Sequence, residues 1–144
     1  MNTRFSSLVK IKKSEMQKKE RLVQSANADL NSALVALELS NNAIYDIQIP
    51  QNGSMSGFLQ TRKLLESSRY LIQHNEEWVE FAKKQAEIAK EELKKSMIEY
   101  EKFNYLEVEE IKKIIQKHKL EESKSLDEVA LMTHQRKSKI EENL

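Results

Sequence analysis

Proline occurs once in this chain and glycine twice, and all three fall between Ile49 and Gly57, in IPQNGSMSG. Proline removes a backbone donor, and glycine is the next worst residue in a helix interior. With every breaker in one segment, both flanks are free to be continuous helix. A chain that breaks once reverses once. The expected fold is therefore all-α: an antiparallel two-helix coiled-coil hairpin in a single domain, 1–144. Its helices are expected over about 3–48 and 58–142, with the turn at about 49–57. Pro50 is expected to stop the first helix, Gly53 and Gly57 to let the backbone reverse, and Ser54 or Ser56 to cap the second.

Both flanks carry a heptad seam, an apolar stripe repeating every 3.5 residues that faces a partner helix. In the first arm it runs Phe5, Val9, Lys12, Met16, Lys19, Val23, Ala26, Leu30, Ala33, Leu37, Ser40, Ile44. In the second it runs Phe58, Thr61, Leu65, Ser68, Ile72, Asn75, Val79, Ala82, Ala86, Ala89, Leu93, Ser96, Tyr100, Phe103. Setting Ile44 opposite Phe58 across the turn brings Phe5 near Tyr100 and Phe103. On that register residues 105–144 have no partner in the hairpin and form a long C-terminal helical overhang. Val108, Ile111 and Ile115 fit the seam only through a four-residue stutter. Beyond them the stripe thins to Leu120, Leu126, Val129 and Met132. An amphipathic helix gains most of its stability from packing. The overhang must fold back or be covered from outside, and a partner is the favoured reading.

Composition supports a helical rod over a compact globule: charged residues make up 33%, and mean hydropathy is −0.69. The absence of cysteine excludes disulfides and thiolate metal sites. No run of about 18 apolar residues offers a membrane span, and the basic start lacks the apolar core of a secretory signal. Asn52-Gly53-Ser54 fits a glycosylation sequon but reads as an ordinary turn. Net charge is +1, with seven Lys/Arg against two acids in residues 1–24 and three acids with no base in 25–61. A nucleic-acid binder would show a larger basic excess.

No constellation carries chemistry. His74, His118 and His134 lack metal-ligand spacing, His118 and Glu122 read as a surface pair, and His74 stands one turn from Trp78, either as a packed pair or as part of a binding patch. The carboxylates lie in runs such as EVEEIKK, which are solvated helix faces. No catalytic, cofactor-binding or metal residue is expected, and the chain reads as a non-enzyme. The sharpest charged feature is the run Lys10, Lys12, Lys13, Lys18, Lys19, Arg21. Lys12 and Lys19 fall on the seam, where a buried lysine weakens a helix pair. This stretch should therefore stay exposed or face acids.

Certain residues resemble the FliJ/YscO family of flagellar type III export proteins. RFSSLVKIKKSEMQKKERLV is similar to that family's first helix. KHKLEESKSLDEVALMTHQRK (117–137), with its Leu126-Asp127-Glu128 triplet, is similar to its C-terminal segment, and the QH of YLIQHNEEW has a counterpart in its second helix. The resemblance spans the chain. It implies a cytoplasmic protein of flagellum biogenesis and motility, held peripherally at the inner-membrane export apparatus. It also implies a stalk that inserts into the hexameric export ATPase, promotes its assembly and activity, and couples it to the export-gate membrane protein. Some members also escort export chaperones. The ring contact would fall to Lys10, Lys12, Lys13, Lys19, Leu126, Asp127 and Glu128. The family's gate contact is an apolar face of the second helix ending in a histidine. His74 fits that position, yet Tyr70, Ser67 and Lys63 behind it are not such a face. Leu64 and Leu71 supply one on the neighbouring stripe. The rival readings are a generic coiled-coil chaperone or scaffold without ATPase coupling, and a nucleic-acid-binding hairpin.

Overall fold

The computed structural model describes residues 2–143. They contain two helices, α1 (Ser6–Tyr45) and α2 (Met55–Glu142), and no strand. The helices pack against each other as the antiparallel, all-α hairpin that the clustered chain-breakers imply, and the second outruns the first.

The helix ends follow from local chemistry. Ahead of α1 the Thr3 hydroxyl accepts from the Phe5 N–H (3.2 Å), while the Ser6 hydroxyl accepts from the Thr3 N–H (2.8 Å). This is a reciprocal cap with serine in place of the usual glutamate. At the other end of α1 the N–H groups of Asp46 and Ile47 donate to the carbonyls of Ala43 and Ile44, tightening the last turn. Continuation would leave the Asp46 carbonyl without a donor, because the residue four places on is Pro50. Ser54 caps α2: the Gly57 N–H lies 3.3 Å from its hydroxyl and 3.1 Å from its carbonyl oxygen. Gly57 therefore sits in the first turn of α2 and takes no part in the reversal expected of it. Residues 46–54 make the turn, with Gly53 among them.

The chain divides into two compact units, Lys13–Ile98 and the pair Met1–Lys12 with Glu99–Leu144. In Lys13–Ile98 the core is a cluster of small side chains. Ala33 is wholly buried against Val79 and Ala82, with Leu30 and Leu37 packed around them, and Ala86 is buried as well. Small residues at the contact let two helix axes approach closely, since the spacing is set by the side chains between them. The seam also buries two polar residues. Asn75 Nδ2 donates to the Ala36 carbonyl (3.2 Å) and to Ser40 Oγ (3.1 Å), and Ser40 Oγ donates to the Leu37 carbonyl (2.8 Å). No buried side-chain polar atom among the described residues lacks a partner, as a low-dielectric seam requires.

These contacts correct the expected register. Asn75 faces Ala36 and Ser40, and Lys19 faces Glu92. Ile44 on this offset lies well along α2 from Phe58, which is 41% exposed. In the other unit Ser6 Oγ donates to Glu107 Oε1 (2.7 Å) and Arg4 pairs with Glu110 (3.6 Å). Phe5, between them in sequence, belongs opposite 107–110 and not beside Tyr100. Lys12 lies 5.8 Å from the Phe103 ring centroid and pairs with Glu99 at 4.0 Å.

The expected stutter is absent too. After Phe103 the half-buried positions include Glu107, Glu110 and Ile114, which keep the steps of four and three, whereas of the three stutter positions Val108 and Ile115 are exposed and Ile111 alone is half-buried. The carboxylates hold facing positions because the Ser6 hydroxyl, at the start of α1, and the Arg4 guanidinium just ahead of it lie opposite them. Pairing thus reaches Glu110, so the overhang starts later than 105: residues 115–137 are all exposed, and α2 runs on to Glu142 without folding back.

Candidate functional site

Three surfaces carry the residues singled out in the sequence. The first is a stripe on α2 in Lys13–Ile98. Leu64, Leu71 and Trp78 follow one another at seven-residue spacing, as do His74, Phe81 and Ile88. These positions directly precede seam positions 65, 72, 79 and 75, 82, 89. One residue is about a quarter-turn of helix, so the stripe lies beside the seam and not behind it. All six are exposed, Phe81 most among the apolar five at 61% and Trp78 least at 39%. His74, Glu77, Trp78 and Phe81 line one depression. Trp78 and Phe81 also border a recess of about 140 Å³ with Ala82, Gln85 and, from α1, Ala26 and Asp29.

The structure therefore brings Leu64, Leu71 and His74 onto one face and extends it with Trp78, Phe81 and Ile88. Trp78 beside His74 is one of the two readings that the YLIQHNEEW stretch offers, whereas Phe81 and Ile88 carry no sequence signal beyond their spacing. Counting back from His74 points away from them, whereas counting forward at the same spacing reaches Phe81 and Ile88. An exposed apolar stripe of this kind, rimmed by Glu77 and Asp29, is a candidate for interaction.

The second surface is the basic start. Lys12 and Lys19 occupy seam positions but remain half-buried and meet acids of their own chain. Lys19 Nζ donates to Glu92 Oε2 at 2.9 Å, and this contact holds the Glu92 carboxyl below the usual carboxylate range, with Lys95 adding to it. Lys10 and Lys13 are exposed. The basic face expected to meet acids thus divides into lysines that reach across the hairpin and lysines turned to solvent.

The third surface is the overhang. Leu126 is 70% exposed, Leu120, Val129, Leu131, Met132 and Ile140 are exposed as well, and so are Asp127 and Glu128. His118 pairs with Glu121 (3.9 Å) and not with Glu122. Among the described residues no cluster of His, Asp and Glu is placed to hold a metal, and no helix is long and apolar enough to cross a membrane.

No curated protein and no solved structure matches this chain. The family model described as flagellar FliJ protein matches residues 1–139, nearly the whole chain. With its two-helix hairpin, its exposed stripe and its uncovered α2 end, the chain belongs to the FliJ family and has a role in flagellar protein export.

Proposed function

We propose that this protein is a stalk of the flagellar type III export machinery. It inserts into the ring of the hexameric export ATPase, promotes that enzyme's assembly and activity, and couples it to the membrane export gate. It works in the cytoplasm, held peripherally at the inner membrane, and escorts export chaperones there. The observation that supports this most is the end of α2. Past residue 115 a helix bearing six exposed large apolar side chains has no cover among the described residues. Such a helix is weakly stable alone and gains from being surrounded, which a ring's lumen would do. Leu126, Asp127 and Glu128 would touch the ring from the overhang, with Lys10 and Lys13 doing so from the basic start. Lys12 and Lys19 would join them only by leaving Glu99 and Glu92. The gate would dock on Leu64, Leu71 and His74, with Trp78 and Phe81 completing that face.

The test is ATP hydrolysis by the cognate export ATPase with three forms of the protein: the full chain, a chain ending at Gln116, and the full chain carrying Leu126→Asp and Val129→Asp. Ending at Gln116 retains the Ser6–Glu107 and Arg4–Glu110 contacts. The expected result is stimulation by the full chain only. Equal stimulation by all three would remove the overhang from the mechanism. Absence of both stimulation and co-elution would leave a coiled-coil scaffold that acts elsewhere in export.

A further inference from the structure

We infer that the unit Lys13–Ile98 encodes two helix registers one heptad apart, and that the Asn75–Ser40 contact selects the observed one. A heptad seam fixes which face of each helix is buried but not the offset between the helices, because sliding by seven residues returns seam positions to seam positions. The apolar pattern alone favours the slid arrangement. It carries Ile44 toward Phe58 and, with α1 extended, sets Ile47 on the next seam step. In the observed register Phe58 is instead 41% exposed.

The polar layer favours the other offset. Asn75 and Ser40 are 6% and 5% exposed, and the amide donates to the Ser40 hydroxyl and to the Ala36 carbonyl. Sliding by a heptad replaces Ser40 with Ala33 opposite Asn75. A backbone carbonyl is still within reach, but the side-chain acceptor becomes a methyl group. Lys19 moves from Glu92 to Gln85 and loses its ion pair. A single buried asparagine fixes register in other coiled coils by this means. The small side chains of Ala33, Ala82 and Ala86 add little steric interlock to oppose a slide of about 10 Å of helix.

The chain has no cysteine, so introduced thiol pairs report register directly. Lys19→Cys with Glu92→Cys reads the observed register, and Lys19→Cys with Gln85→Cys reads the slid one. Both reporters remove the Lys19 ion pair, so a comparison between backgrounds isolates Asn75 and Ser40. In the otherwise native background only the first pair should form a disulfide under mild oxidation. Two changes of opposite chemistry should each raise the slid-register disulfide at least tenfold. Asn75→Leu removes the need for an acceptor. Ala33→Ser leaves Asn75 in place and gives it a hydroxyl in the slid register. Far-ultraviolet circular dichroism confirms that each variant is helical. If neither change raises the slid-register product, or if the native background forms both disulfides equally, the proposal is overturned.

Discussion

Replacing Ala33 by leucine separates close small-residue packing from an ordinary leucine seam by sign. In an ordinary seam the substitution buries three more carbons. At about 0.8 kcal/mol for each, that is a gain of about 2 kcal/mol. Here Ala33 is 0% exposed and is already in contact with Val79 and Ala82. The added atoms must push the helices apart or leave their rotamer minima, which costs about 1–3 kcal/mol. Separation would also stretch the nearby Asn75 contacts, two hydrogen bonds of 3.1 and 3.2 Å. The expected outcome is a net loss of about 2 kcal/mol. With a urea slope of about 1–3 kcal/mol/M, the unfolding midpoint falls by roughly 1 M. Ala28→Leu on the exposed face is the control. Alanine and leucine are both strong helix formers, so it should stay within about 0.5 kcal/mol of the native chain. Urea titration followed by circular dichroism at 222 nm measures both. A midpoint that rises for Ala33→Leu would refute the close-packed core and return the unit to a conventional coiled coil.

Gly57→Ala should stabilise the protein by about 0.4–1 kcal/mol, because its new methyl would meet nothing nearer than Ser54 Oγ at 3.8 Å and the site is helical. A loss in the same urea titration would place Gly57 in the turn after all. Ser54→Ala removes the cap of α2 and should cost about 1 kcal/mol, with hydrogen exchange accelerated first at the amide of Gly57. The Glu92 carboxyl should titrate below the ordinary glutamate value by carbon-detected NMR, and Lys19→Gln should return it toward that value. A lowered native pKa means that this contact supports the fold fully above the unfolded carboxylate pKa. The support is lost as pH falls through the native value. An unmoved Glu92 midpoint in Lys19→Gln would show that the pair does not persist in solution.

The faces of both helices are legible in the sequence. Every seam position named on α1 is buried or half-buried, and on α2 Phe58 alone is exposed. Period is a local property, so one helix is enough to read it. Offset depends on both helices, and apolar residues hardly constrain it because one leucine substitutes for another. The residues that do constrain it are the seam's polar ones, which must find each other. Pairing Asn75 with Ser40, and Glu107 and Glu110 with Ser6 and Arg4, would have given the register and removed the need for a stutter. Val108 and Ile115 are apolar and invite a stutter, but they are exposed, and the carboxylates of Glu107 and Glu110 keep the seam. The helix boundaries near the linker depend on hydrogen bonds at Asp46, Ile47 and Ser54 that composition does not rank. At the candidate surfaces, the exposed face of Leu64, Leu71 and His74 was readable as a stripe. Trp78 is readable beside His74 at one turn, whereas Phe81 and Ile88 come only from counting on from His74 at seven-residue spacing.

The hairpin's contacts grow steadily more distant along the chain from the linker outward. Asn75 meets Ser40 across 35 residues, Lys19 meets Glu92 across 73, and Ser6 meets Glu107 across 101. Loop closure favours the nearest pairs first, so the helices should zip away from the linker. On the ribosome, α1 emerges whole and has nothing to pair with until the α2 residues around Asn75 follow it. At about 5–20 residues per second that wait lasts seconds, and the start of α1 waits longest. The first turn of the hairpin to be synthesised is the last to be joined, which leaves its basic residues open to other contacts throughout synthesis.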